Sequence, residues 1–314
     1  MTTSMQAIRQ HSYGQRDVLQ LENVPMPQIN PDDVLIRVHA AGVNPVDWKI
    51  REGYLQSIMS HEMPLTLGWD VAGEIVALGE QVTGWQIGDA VYSRPEIARN
   101  GAYAEFVAVR ASEIAKKPKS LDWQQAAAVP LAALTAWQAL FEIAQLQAGE
   151  KVLIHAGAGG VGLFAIQLAK WRGAEVYTTT SSKNAELVTA HGADHVIDYT
   201  QANFADLRDL DVVFDTMGGD ILAQSWQTLK AGGRLVSICD QPDTATAQKH
   251  HVHGHFCFVQ PNAAQLSEIA ALLDAGHIKV VIDSVFPLAQ AALAHERSES
   301  GRARGKIVLQ VAQG

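Results

Sequence analysis

The stretch Val152-Leu-Ile-His-Ala-Gly-Ala-Gly-Gly-Val-Gly162 decides the fold. A short apolar run, Lys151–His155, ends in Gly157-x-Gly159-x-x-Gly162, and Val161, Phe164, Ala165, Leu168 and Ala169 then recur at helical spacing until Gly173. A strand that turns into a helix through this spacing has the shape of a dinucleotide site. The first glycine permits the tight bend, the second lets backbone approach a pyrophosphate, and the third allows the helix to pack closely on the strand. Gly157, Gly159, Gly160, Val161 and Gly162 are therefore candidate cofactor contacts, with the pyrophosphate on free N–H groups at the positive end of the helix dipole. A second strand, Glu175–Thr180, follows about twenty residues later, as a βαβ unit requires.

Working outward, His195–Tyr199, Asp211–Thr216, Arg234–Cys239 and His255–Gln260 read as further strands between helical segments, which completes a doubly wound sheet of six parallel strands. Before this region, Met5–Arg9, the alternating Val34, Ile36, Val38 and Ala40, Val71–Leu78 and Ala102–Val109 read as strands between glycine-rich turns. They predict a mostly β domain. An alanine-rich helical stretch from Trp123 through Gln145 lies between the two regions. After Pro261, a helix near Gln265–Ala275, a short strand Val280–Ile282 and a last strand Lys306–Val311 exceed what the six-stranded sheet needs, and are expected to return to the first domain. The expected class is α/β, with residues 1–121 and 264–314 in the β domain and 122–263 in the nucleotide-binding domain.

At 314 residues the chain is long enough for two domains, each with its own core. A net charge of -9 leaves no basic stripe for phosphate backbones, so neither nucleic acid nor an anionic membrane is an expected partner. No apolar run reaches the eighteen or so residues needed to span a bilayer, and a soluble, cytoplasmic protein is expected. Cys239 and Cys257 are the two cysteines, both inside predicted strands, which fits a reducing compartment without a disulfide framework.

Ala41-Gly-Val-Asn-Pro-Val-Asp-Trp-Lys49, Leu67-Gly-Trp-Asp-Val-Ala-Gly-Glu-Ile-Val76, Gly84-Trp-Gln-Ile-Gly-Asp89, Gly101-Ala-Tyr-Ala-Glu105, the glycine turn and Gly305-Lys-Ile-Val-Leu309 occur in order over nearly the whole chain. This ordered set resembles the medium-chain dehydrogenase/reductase superfamily, and within it the zinc-independent quinone oxidoreductase and alkenal/enone reductase branch. The resemblance implies a GroES-like catalytic domain completed by the C-terminal segment, an inserted Rossmann domain, and an active site between them. It also implies a homodimer formed through the last Rossmann strand, His255–Gln260; an apolar edge strand needs covering in any case.

Alcohol dehydrogenases of this superfamily hold a catalytic zinc with a cysteine in a Gly-Val-Cys turn and a histidine in a Gly-His-Glu motif. Here those positions are Asn44 and Trp69, and the first domain contains no cysteine for a structural zinc, so no metal is expected. His61-Glu62 and the tract His250-His251-x-His253-x-His255 remain the histidine-bearing candidates. NAD-selective sites place a carboxylate at the end of the second Rossmann strand, whereas this strand ends in Thr180-Ser181-Ser182-Lys183. Hydroxyls, N–H groups and a lysine favour the 2′-phosphate of NADPH, although the serines could instead cap the next helix. By resemblance, Tyr199 lies near the adenine ribose and Thr135 faces the nicotinamide amide. Arg302, Arg304 and Lys306 are candidates to clamp a phosphate.

Without a metal to polarise an alcohol, reduction of an activated acceptor is the expected chemistry. Hydride adds to an electron-poor carbon of a quinone, enone or enal, and a hydrogen-bond donor must meet the charge that develops on oxygen. By resemblance Lys49 is that donor, Asn44 contacts the nicotinamide or the substrate oxygen, and Tyr54 is a further donor. Asp47 is expected to hold its turn together and Trp69 and Asp70 to pack the domain. Two other classes stay open: an NADPH-binding structural or redox-sensing protein of the zeta-crystallin type, and a zinc-free alcohol or ketone oxidoreductase.

Overall fold

Alternating burial in the first third of the chain builds strands, and the computed structural model describes residues 3–312. In chain order these are β1 (Ser4–Gln10), β2 (Gln20–Pro25), β3 (Asp33–Val43), helix α1 (Pro45–Arg51), β4 (Leu65–Thr66), β5 (Val71–Leu78), β6 (Ala90–Ser93), β7 (Phe106–Arg110) and β8 (Ile114–Lys116). Helices α2 (Trp123–Ala127) and α3 (Pro130–Trp137) lead into β9 (Lys151–Ile154), α4 (Gly160–Trp171), β10 (Glu175–Thr180), α5 (Ala185–Ala190) and β11 (His195–Asp198). Next come β12 (Leu210–Asp215), α6 (Gly219–Ser225), β13 (Leu229–Ser237), α7 (Thr244–Lys249) and β14 (His253–Phe256). Helix α8 (Ala263–Asp274), β15 (Ile282–Pro287), α9 (Ala291–Glu299) and β16 (Lys306–Gln310) follow.

The chain divides into two units. The first comprises the chain through Leu131, Gln260–Gly276 and the segment from Val280 on; the second is Ala132–Val259 with His277–Lys279. In the first, β15-β16-β3-β5-β6-β8 form a sheet, β7 adds to the far half of β3, and β2-β1-β4 form a small second sheet. Strand β3 buries Val34, Ile36, Val38 and Ala40 as its alternation requires, while Arg37 between them reaches solvent. The boundary falls at Leu131 rather than 121, because α2 belongs to the first unit: it packs on β3 and β5, and Trp123 stacks on His39 with ring centroids 4.3 Å apart.

The second unit is a parallel sheet in the order β11-β10-β9-β12-β13-β14. Helix α4 begins with Gly160 and contains Gly162, each about 1 kcal/mol worse than alanine in a helix. Leu163, Phe164, Ile166 and Leu168 are buried, at about 1.5–3 kcal/mol each, so packing rather than propensity holds this helix.

Several expected bounds move. The helical stretch from Trp123 breaks before Pro130 and ends in a π-helical segment, Gln138–Ile143, where Ala144 N–H donates to Ala139 at 3.0 Å. The strand expected over Ala102–Val109 is Phe106–Arg110, and Val280–Ile282 becomes Ile282–Pro287, pairing parallel with β16. The strand expected over His255–Gln260 is His253–Phe256. Both cysteines therefore follow strands instead of lying in them, and neither is in a disulfide.

Candidate cofactor and acceptor sites

Three glycines of the turn differ in what surrounds them. A Cβ on Gly157 would lie 2.0 Å from Thr178 Oγ1, and one on Gly162 would lie 2.4 Å from the Ala156 carbonyl oxygen. Both positions are closed by the chain's own packing. At Gly159 the one neighbour is the Ala156 carbonyl oxygen at 3.3 Å, a tight contact that a shift of a few tenths of an ångström would relieve, so this is the least crowded of the three. Gly159 is also the N-cap of α4 and offers no side chain to the helix's first N–H groups. A bare helix start at the least crowded glycine fits a pyrophosphate, which needs close backbone approach and free N–H donors.

Next to this turn lies a cavity of about 490 Å³ at the C-terminal ends of the strands, lined by His155, Ala156, Thr179, Tyr199, Thr200 and Phe204 among others. The carboxyl end of an open parallel sheet is where such folds bind ligands. Tyr199, 63% exposed, stands at its wall. His155 is buried between Thr179 Oγ1 (3.2 Å) and Ser225 Oγ (2.9 Å), and burial pushes its pKa down to about 4. It is a neutral structural group under the cavity floor.

Thr180 is buried at the end of β10, and Ser181, Ser182 and Lys183 emerge progressively into solvent. Ser181 heads a short 3₁₀ turn without making a side-chain cap, so the capping role is not realised there. One carboxylate escaped the sequence reading. Asp198, at the end of the adjacent β11, accepts hydrogen bonds from Ser182 N–H (3.1 Å), Thr200 N–H (3.0 Å) and Thr200 Oγ1 (2.7 Å). These donors hold its pKa below the usual carboxylate range. Thr135 is buried in α3.

In the first unit, Asn44 ends β3 and starts α1, and it is buried. Its Nδ2 donates to Asp70 Oδ2 at 2.8 Å, and its Oδ1 accepts from the Lys306 ammonium. Lys306 Nζ also lies 3.2 Å from Asp70 Oδ2, and Leu131 N–H donates to Asp70 Oδ1 at 2.6 Å. Asp70 is thus more than packing: it is the counter-ion of a buried lysine. Lys306, a possible phosphate clamp by sequence, is committed to this cluster, whereas Arg302 and Arg304 are exposed.

Asp47 performs the turn role expected of it, accepting from Asn44 N–H at 2.8 Å, and Tyr103 Oη donates to the same oxygen at 2.7 Å. Full burial, reinforced by Asp70, raises its pKa to about 7. The hydroxyl of Tyr103 lies 3.3 Å from His295 Nε2, and His295 Nδ1 lies 3.2 Å from Arg51, whose guanidinium also pairs with Glu52 and Glu299. Burial and the Arg51 charge push His295 down to about 3.

Lys49 is half-buried on α1, with its ammonium 5.9 Å from the Trp48 ring and no ion pair among the described residues. Tyr54 is 65% exposed and meets Trp48 edge-on, 6.1 Å between centroids. Neither joins the Asn44 cluster by a hydrogen bond. Trp69 is buried with its indole N–H on the Arg99 carbonyl at 3.0 Å. His61 bonds the Ile97 carbonyl at 2.9 Å, and His253 and His255 sit on β14. Among the described residues, no three His, Cys, Asp or Glu side chains gather into a group that could hold a metal ion. No helix among them is long and apolar enough to cross a membrane.

With this geometry in place, residues 30–119 match the alcohol dehydrogenase GroES-like domain and residues 191–309 match a zinc-binding dehydrogenase domain. The chain is 39% identical to a 2-methylene-furan-3-one reductase of Solanum lycopersicum, over 98% of this chain and 79% of that protein. The chain belongs to the medium-chain dehydrogenase/reductase superfamily. It is also 38% identical to an NADPH-dependent alkenal/one oxidoreductase, chloroplastic, of Arabidopsis thaliana, over 95% of this chain and 77% of that protein. A quinone oxidoreductase from Coxiella burnetii has the same fold, with a TM-score of 0.90, 36% identity, and coverage of 98% and 100% of the two chains. These likenesses place the medium-chain chain in the quinone and alkenal reductase branch, as an oxidoreductase using a nicotinamide cofactor.

Proposed function

We propose that this chain is an NADPH-dependent reductase of quinones and α,β-unsaturated carbonyls, without a catalytic metal. The observation that carries the cofactor half is the uncapped start of α4 at Gly159, the least crowded glycine of the three. The names of the relatives, an alkenal/one oxidoreductase, a methylene-furanone reductase and a quinone oxidoreductase, support the acceptor half. In this reading Gly157, Gly159, Gly160, Val161 and Gly162 hold the pyrophosphate, Tyr199 borders the adenosine, and Thr135 meets the nicotinamide amide. Thr180, Ser181, Ser182 and Lys183 receive the 2′-phosphate, with Asp198 fixing the Ser182 backbone beneath it.

A nicotinamide held there would supply a hydride for the electron-poor carbon, with a proton from solvent or a side chain completing the reduction. Lys49 donates to the oxygen that gains charge, because its ammonium has no other partner in an ion pair. Asn44 acts as a positioning residue, since its amide is already engaged on both sides by Asp70 and Lys306. Tyr54, exposed beside Trp48, borders the acceptor rather than delivering its proton. Strand β14 lies at the sheet's edge, and its open side is the proposed pairing surface of a homodimer.

The test is a panel of quinones, enones, enals and saturated ketones with NADPH or NADH as reductant. Oxidation of NADPH by the first three, with kcat/KM at least about tenfold lower for NADH, is the expected result. Tight NADPH binding with no oxidation by any acceptor would overturn the enzyme reading, and activity on saturated ketones alone would overturn the acceptor class.

A further inference from the structure

The first unit contains two wholly buried arginines, and they are provided for very differently. Arg51 bonds the Gly14 carbonyl, His295, Glu52 and Glu299. Arg94, 1% exposed, forms no ion pair among the described residues. Its one hydrogen bond runs from Nη1 to the carbonyl of the next residue, Pro95, at a long 3.4 Å, and its Nε is buried without a partner.

The carboxylates whose charge reaches Arg94 are those of Glu96, Asp70 and Glu113, and each is already engaged elsewhere. Glu113 accepts from Arg110 at 2.9 Å and from Glu96 N–H at 3.0 Å; Glu96 lies 4.0 Å from Arg110; Asp70 faces Lys306, Asn44 and Leu131. A buried guanidinium in this state carries an unmet charge and unmet donors, which is strongly unfavourable unless an anion completes it.

Its place in the sheet says where such an anion would sit. Strands β16, β3, β5 and β6 are neighbours, and they deliver Lys306, Asn44, Asp70 and Arg94 to one rim. Ser93 pairs with Val71, which sets Arg94 opposite Asp70, and Gly42 N–H donates to the Asp70 carbonyl at 3.2 Å, which sets β3's end beside them. Asp70 is already held by Lys306, and Glu96 and Glu113 face Arg110, so Arg94 is the cation of this rim left without an ion-pair partner of its own among the described residues.

We propose that Arg94 is the anion-binding residue of the acceptor site, and that the acceptors this chain prefers carry a carboxylate on their conjugated skeleton. The inference rests on the reading above that Asn44, a member of this rim, serves the acceptor. A guanidinium suits the role because its planar fork matches both oxygens of a carboxylate.

The test compares trans-3-benzoylacrylate with its methyl ester, in the wild type, Arg94→Met and Arg94→Lys. The wild type should favour the acid. Arg94→Met should raise KM for the acid by about 30-fold or more and leave the ester within about twofold, with Arg94→Lys in between and NADPH affinity unchanged. Calorimetric binding of 3-benzoylpropionate, the saturated acid, with NADP⁺ present gives a readout that needs no turnover. Loss of that binding in Arg94→Met supports the proposal even if no enone is reduced, in which case the reductase reading fails alone. Equal effects on acid and ester, no effect on either, or no binding of the saturated acid to the wild type would overturn it. If Arg94→Met does not fold, Arg94→Lys decides by the same ratio of acid to ester.

Discussion

In the glycine turn of the second unit, six consecutive positions from Gly157 to Gly162 supply the bend, the contact surface and the helix start. On the rim of the first unit, Asn44, Asp70, Arg94 and Lys306 arrive from four strands, with Asn44 and Lys306 bonded across 262 positions of sequence. The turn is uncharged and offers backbone N–H groups; the rim is built of charges that must first satisfy one another. A local motif therefore fails locally when altered, while an assembled cluster transmits a single change to every strand that contributes to it.

The largest expected effect follows from that interdependence. Asp70→Asn leaves the buried Lys306 ammonium without its counter-ion. Breaking a buried pair from one side costs about 3–5 kcal/mol, and adding Lys306→Met should restore at least about 1 kcal/mol of it in urea melts. Full additivity of the two substitutions would show that the rim is not one cluster.

A smaller effect separates the glycines. Gly157→Ala places a methyl 2.0 Å from Thr178 Oγ1 and should destabilise the second unit by about 1–3 kcal/mol. Gly159→Ala meets the Ala156 carbonyl oxygen at 3.3 Å, which a shift of a few tenths of an ångström relieves, so its melting curve should stay within about 1 kcal/mol of wild type while NADPH binding weakens about tenfold by calorimetry. The reverse pattern, a stability loss at Gly159 and normal binding, would erase the distinction between a packing glycine and a contact glycine.

The smallest effect is a slope. Asp47 titrates near 7 when folded and near 3.8 when unfolded, so between those values the native state holds the extra proton. Its contribution to stability is complete below about pH 4 and is lost as pH rises through 7, at up to about 1.4 kcal/mol per pH unit. His295, lowered to about 3 from 6.5, acts in the other direction: it binds its proton mainly in the unfolded state, and so weakens the fold as pH falls below 6.5. Asp47→Asn, which keeps an acceptor for Tyr103 and for Asn44 N–H, should therefore lose less stability than wild type between pH 6.5 and 8. Parallel pH profiles for the two proteins would mean that Asp47 is ionised throughout.

The same contrast explains what could be read from the sequence. The glycine spacing, the apolar strands and the helical repeat of α4 are short-range patterns, and they gave the doubly wound sheet and its turn directly. Strand ends were less secure wherever a strand closes on polar residues, as with β14, whose His253–Phe256 carries two histidines instead of the apolar run after it. In the first unit the sequence marked Asn44 through its neighbours but not its partners. Lys306 stood with Arg302 and Arg304 as a candidate phosphate clamp, and only the pairing of β16 with β3 carries it to Asn44. Nothing in the spacing of Ser93-Arg94-Pro95 signals a buried guanidinium, because burial there depends on β5 and β6 lying side by side. Asp198 was missed for a related reason, since it reaches Ser182 from the neighbouring strand.

Hydride transfer from a nicotinamide to a conjugated carbon is tested most directly by following the label. Reduction of an enone with [4-²H]NADPH of the competent face should deliver one deuterium to the β-carbon of the saturated ketone, with stoichiometric formation of NADP⁺. Saturated product without deuterium at that carbon, or deuterium on a carbinol carbon with the double bond intact, would contradict it.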